Sequence, residues 1–180
     1  MSESEMKPYA ILAEFNSASE IYHACEGVRD AGYSAWDAHT PFPVHGLDGA
    51  MGLSRSKVPW VSLIAGLTGA SLAFLLQSWI SVDAYKLVIA GKPYFSWQAF
   101  VPVTFEVGVL FAAFGAVFGM FHFNRLPQHY HPLFRSERFA RVTDDKFFIS
   151  IEVADPKFNE EATKALLTDL GASHVEMVED

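Results

Sequence analysis

Two long apolar runs in close succession constrain this chain more than any other feature. Val58 to Ile80 is 23 residues without an ionisable side chain, and Phe100 to Phe123 is 24 residues interrupted only by Glu106 and His122. About 20 apolar residues cross the hydrocarbon core of a bilayer as a helix, and a helix satisfies its own backbone hydrogen bonds where there is no water. The runs therefore predict a transmembrane helical hairpin over 58–123, with spans 58–80 and 100–123. Trp60, Trp79, Tyr85, Tyr94, Phe95 and Trp97 cluster at the predicted helix ends, where amphipathic rings settle at headgroup level. Buried helices of a soluble domain are usually shorter and flanked differently.

Orientation follows from the basic residues. Arg55 and Lys57 precede the first span and Arg125, Arg135, Arg138 and Arg141 follow the second, whereas only Lys86 and Lys92 lie between them. The positive-inside rule then places both termini in the cytoplasm. The start, MSESEMK, is acidic, with no basic region leading into a short apolar core, so no cleavable signal peptide is expected and the first helix is the insertion signal.

Of 180 residues, about 130 remain outside the spans, enough for one small domain. The net charge of -8 argues against a nucleic-acid partner. Cys25 is the single cysteine, which excludes an internal disulfide, a CxxCH haem attachment and any iron-sulfur cluster held by this chain alone.

Tyr9–Phe15 is a short, nearly continuous apolar run and reads as a buried strand. Ser17 and Glu20 have capping-box spacing, and Ala18, Ile21, Tyr22, Cys25 and Val28 recur at helical intervals up to Gly32. Cys25 lies on that apolar face and reads as a small buried hydrophobe. Residues 33–40 make a second strand. Residues 41–57 are a Pro- and Gly-rich connector that could pack against a partner; Gly46, Gly49 and Gly52 match neither nucleotide-binding fingerprint. Residues 124–145 are a second connector, with a helical turn near 135–142. His129 and His131 within it, at i and i+2, cannot share one helix face, so a structural or interfacial role is favoured over a metal site. Lys146–Val153 is a strand with Phe147, Ile149, Ile151 and Val153 on one face. Asp155-Pro156 begins a helix with the stripe Phe158, Ala162, Ala165, Leu166 and Leu170, stopped by Gly171, and His174–Val178 closes the chain.

The two soluble parts resemble one another: Tyr9 to Gly32 and Phe148 to Gly171 are each separated by 23 positions. Two strand-helix-strand halves predict a ferredoxin-like split βαβ sandwich, α+β in class, with the hairpin inserted between the second and third strands. The domain division is then 1–57 and 124–180, both cytoplasmic, with 9–40 pairing with the C-terminal half, around the hairpin 58–123.

Within the spans, Ser62, Gly66, Gly69, Ala70 and Ala73 fall on one side of the first helix, and Gly108, Ala112, Gly115, Ala116 and Gly119 on one side of the second. Small-residue stripes let transmembrane helices approach closely, so these either face each other or grip a neighbouring subunit. Glu106 points away from its own helix's stripe, roughly six residues or about 9 Å from the predicted periplasmic end. An intramembrane carboxylate is a candidate functional site: a hydrogen-bonded contact to another subunit on one reading, a proton relay or quinone contact on the other. His122 lies at the cytoplasmic end of its helix, where its ring can snorkel to the interface; a bis-histidine haem would need a second intramembrane histidine, which the chain lacks.

The order of these parts, with LAEF near the start and the run GKPYFSWQAFVPVTFEVGVLFAAFGAVFGM from Gly91 to Met120, resembles the small two-helix membrane component, designated D, of bacterial alternative complex III. The resemblance covers nearly the whole chain. It implies a subunit without catalytic residues or cofactor, part of a quinol-oxidising respiratory electron-transport complex in the bacterial inner membrane. It implies partners too: multi-helix subunits that handle quinol and protons, and multihaem and iron-sulfur subunits facing the periplasm. The expected role is an accessory one, bracing the larger membrane subunits. The alternative is a membrane-tethered sensory or regulatory ferredoxin-like domain, which would purify alone and bind a small ligand.

Overall fold

The computed structural model describes residues 7–180; the rest of the acidic start lies outside the described residues. In chain order the elements are β1 (Pro8–Phe15), α1 (Ala18–Asp30), β2 (Trp36–His39), a short α2 (Leu47–Ala50), α3 (Val58–Trp79), α4 (Trp97–Phe123), β3 (Phe147–Glu152), α5 (Glu160–Asp169) and β4 (His174–Glu179). They form two compact units. Residues up to Ser54 together with His129–Asp180 make one, and Arg55–Gln128 the other.

The first unit is built on a four-stranded sheet in the order β2-β3-β1-β4, antiparallel throughout. The central β1 is buried on both faces, which is why its sequence runs apolar instead of alternating. Ile11, Ala13 and Phe15, with Phe147, Ile149 and Ile151 of β3, pack against Ile21, Ala24, Cys25 and Val28 of α1 and Leu167 of α5. Ala10, Leu12, Phe148 and Val178 face the other way, onto Leu133 and Phe139. Those two residues come from short 3-10 turns, Pro132–Arg135 and Arg138–Thr143, so this part of the second connector is a strap across the sheet. Burying each such side chain is worth about 1.5–3 kcal/mol, which gives an aperiodic segment reason to settle there.

Local signals set the helix ends. Ser17 Oγ accepts from the Glu20 amide at 3.2 Å, while the Glu20 carboxylate accepts from the Asn16 amide at 2.9 Å. Gly32, at φ +79°, turns the chain out of α1. The Cys25 thiol is fully buried, and burial, assisted by Asp37, pushes its pKa up to about 12, so it packs as a hydrophobe. The first connector also joins this unit: Ala50 of α2 is buried, and Arg29 donates to the carbonyls of Gly49 and Ala50 at 3.2 and 3.1 Å.

The C-terminal helix departs from the sequence reading. It starts at Glu160 with Asn159 as cap, whose side chain accepts from the Ala162 amide at 3.0 Å. Its buried residues are Thr163 and Leu167, while Ala162 and Ala165 are exposed. Thr163 tolerates full burial because its hydroxyl meets the Tyr33 hydroxyl at 3.0 Å. Asp155, expected to open this helix, instead accepts hydrogen bonds from the amides of Ser34 (2.6 Å), Ala35 (2.7 Å) and Lys157 (2.7 Å) and from Ser34 Oγ (3.1 Å). It ties the start of β2 to the loop after β3.

The second unit is the hairpin. α3 continues through a π-helical turn, Ile80–Ala84, and α4 starts at Trp97, three residues before the apolar run. Both helices are long and apolar enough to cross a membrane, and only 11% of the most apolar stretch of each is buried within the chain. A helix in the core of a water-soluble domain would be enclosed.

Candidate functional site

The hairpin seam is made by residues too small to hold helices apart. Ser62 Oγ donates to the Ala112 carbonyl at 2.9 Å. A Cβ added to Gly66 would lie 3.1 Å from the Ala112 Cβ, and one on Gly108 would lie 3.2 Å from the Ala70 Cβ. At Gly69 it would fall 2.6 Å from the Phe111 Cβ and 2.9 Å from the Val107 carbonyl oxygen, at Gly115 2.7 Å from the Ala65 Cβ, and at Gly119 3.3 Å from Val61. Ala73 is buried at the same seam. The two stripes thus face each other within one hairpin.

A polar clamp closes the seam near the π turn, and sequence reading misses it. Gln77 Nε2 donates to the carbonyls of Ala73 (3.1 Å) and Phe100 (3.3 Å) and to Thr104 Oγ1 (3.3 Å). A lone amide in an apolar run is the available signal, since such a group needs a partner where water is excluded.

Glu106 stands apart from all of this. It is exposed on the outer side of α4, among Val103, Val109 and Leu110, and has no hydrogen bond or ion pair among the described residues. Because α4 begins at Trp97, Glu106 lies nine residues into the helix, about 14 Å along its axis. That is deeper than the sequence bounds imply. His122 is in the last turn of α4 with its ring against Phe123, at 5.6 Å between centroids.

In the sheet unit the chemistry-bearing side chains are occupied with structure. Glu14 is buried and accepts from Arg138 at 2.8 Å, with Lys146 Nζ at 3.2 Å. Burial alone would raise its pKa, but the hydrogen bonds and charges of those two cations hold it below the usual carboxylate value. Arg138 and Arg141, counted among the basic residues after the second run, are thereby paired with Glu14 and Asp145. His131 meets the Tyr9 hydroxyl at 3.4 Å and the Leu133 amide at 3.4 Å, anchoring the strap. His39 packs edge-on against Phe139 and faces Ser150 Oγ at 3.1 Å; burial, with His131 nearby, holds its pKa below the ordinary value against the opposing pull of Asp37. Among the described residues, no three His, Cys, Asp or Glu side chains are grouped to hold a metal ion.

A hairpin of two long apolar helices, packed through small residues and exposed on its other faces among the described residues, together with a small mixed sheet unit, is the construction of a membrane-associated protein. The family model described as Alternative complex III, ActD subunit, matches residues 9–177. The chain belongs to this family and is therefore a subunit of alternative complex III. No curated protein matches it.

Proposed function

We propose that this subunit is a cofactor-free, non-catalytic accessory component that braces the larger membrane subunits of a quinol-oxidising complex and covers them on the cytoplasmic side. The carrying observation is Glu106: an unpartnered carboxylate on the outer face of a helix otherwise apolar there. Ionisable groups inside a membrane face protein or a water-filled cavity, and because Glu106 lies on the face of α4 turned away from the small-residue stripe, the protein it would meet is another subunit. The sheet unit is read as a ferredoxin-like sandwich, supported by its strand order and by α1 and α5 sharing one face. A regulatory ligand-binding role is disfavoured because the strap already occupies the other face. The deciding test is a pull-down of the tagged chain in mild detergent, read by haem spectrum and mass spectrometry. Copurifying haem and iron-sulfur proteins support the accessory role; a solitary, ligand-binding chain overturns it.

The same reading fixes the outcome of three simpler measurements. In sealed right-side-out vesicles, a cysteine probe at Gly91 should be labelled and one at Ser4, outside the described residues, spared; the reverse pattern would invert the orientation. The isolated chain should show no stoichiometric Soret band or iron-sulfur signal. Glu106→Gln should be tolerated, because an amide still hydrogen-bonds, whereas Glu106→Leu should loosen the complex by about 1–3 kcal/mol through an unsatisfied partner group. A Gln variant that assembles fully but turns over slowly would indicate proton transfer instead.

A further inference from the structure

Two histidines lie where the strap meets the sheet. His39 of β2 is partly buried there, edge-on to Phe139 at 5.2 Å between ring centroids, with Nε2 3.1 Å from Ser150 Oγ of β3. His131 stands at the start of the strap. Its Nδ1 accepts from the Leu133 amide at 3.4 Å, so that nitrogen keeps its lone pair and the ring proton sits on Nε2. From there Nε2 donates to the Tyr9 hydroxyl at 3.4 Å, and that hydroxyl donates to Glu152 Oε1 at 3.4 Å. A second proton on His131 would set N–H against N–H in the turn that seats the buried Leu133 side chain on the sheet.

The charges around the pair come from every element that packs there. His39 faces Asp37 on its own strand, which favours its protonation, and His131 on the strap, which opposes it. Burial outweighs Asp37 and holds the His39 pKa below the ordinary value. His131 faces Tyr9 of β1 and His39 of β2, and meets Glu152 of β3 through the Tyr9 hydroxyl. The arginines of the strap are engaged elsewhere: Arg138 with Glu14 at 2.8 Å, Arg135 with the Tyr130 hydroxyl at 2.8 Å, and Arg141 with Asp145.

We infer that His39 and His131 form an acid-sensitive latch, whose protonation lifts residues 132–143 off the sheet and bares the apolar face made by Ala10, Leu12 and Phe148. The strap lies in the chain between α4 and β3, so the latch makes this join respond to the pH of the compartment that the sheet unit faces. A histidine that is neutral while latched and free to ionise once open takes up its proton on opening. The latch is therefore held above the open-form pKa, about 6.5, and is lost as the pH falls below it toward the latched value. Glu14, whose burial is outweighed by the hydrogen bonds of Arg138 and Lys146, stays below the usual carboxylate value and keeps its charge through that window.

Hydrogen exchange of the full-length chain in mild detergent tests the latch, read by mass spectrometry from about pH 7.5 to 5.5 and divided by the intrinsic rate at each pH. Protection of the strap amides over 132–143 should fall about tenfold or more across that range, while the amides of β1 in the sheet keep theirs. His131→Asn retains an acceptor for the Leu133 amide and His39→Gln a hydrogen-bonding partner for Ser150, yet neither new side chain titrates. The double variant should hold its strap protection down to the acid end of the range. A flat profile in the parent, a fall shared equally by the β1 amides, or an undiminished fall in the double variant would overturn the latch. The first two outcomes are read in the parent alone, so they decide the matter whether or not the double variant folds.

Discussion

Gly69→Ala is expected to cost the hairpin about 1–3 kcal/mol or more, and Gly69→Leu to prevent it from closing. The added Cβ would lie 2.6 Å from the Phe111 Cβ and 2.9 Å from the Val107 carbonyl oxygen. A side chain can swing aside, but a helix backbone cannot, so the two helices would have to separate. Separation would also break the Ser62 hydrogen bond to Ala112 and the Gln77 clamp, where no water substitutes for the lost partners. Gly119→Ala provides the graded comparison. The three atoms nearest to its Cβ would all belong to the Val61 side chain, the first at 3.3 Å, so the loss should be small. Melting temperatures of the detergent-solubilised variants check this order, and equal values for Gly69→Ala and Gly119→Ala would refute the seam.

Asp155→Ala should destabilise the sheet unit by about 3 kcal/mol or more, because three backbone amides at 2.6–2.7 Å lose their acceptor in a buried place. Burial pushes the Asp155 pKa up, but the amides of Ala35, Ser34 and Lys157 outweigh it and hold the carboxyl below its ordinary value. The sign follows from linkage. A carboxylate with a depressed folded-state pKa contributes stability above the unfolded value, about 3.9, and loses it as the pH falls through the folded value. Urea midpoints of the solubilised chain should therefore fall with acidification in the parent, and less steeply in Asp155→Ala. Parallel pH profiles would show that the carboxylate is not the source.

These two residues show where local reading succeeds and where it stops. Helical spacing alone places Gly69 on a packing face, because a helix repeats every 3.6 residues and its neighbours are sequence neighbours. The proline after Asp155 marks that residue as a helix opener, which it is not. Its partners Ser34 and Ala35 are about 120 positions away, and no spacing rule reaches that far. Thr163 escapes local reading for the same reason: a hydroxyl looks exposed until Tyr33 is brought to it. The buried Glu14 carries a visible signal, a carboxylate inside an apolar strand, but not the identity of the two cations that satisfy it.

By itself, then, the sequence determined the elements whose cause is local or compositional: two apolar runs of bilayer length, the capped first helix, glycine stops, a strand buried on both faces, and a family resemblance carried by the second run. Tertiary structure alone decided what those elements meet. It paired the two small-residue stripes with each other, left Glu106 on the outer face, and laid an aperiodic strap across the open side of the sheet. Periodicity says which face of an element is apolar, but the partner that face finds depends on chain closure over many residues, and that information lies in no single window.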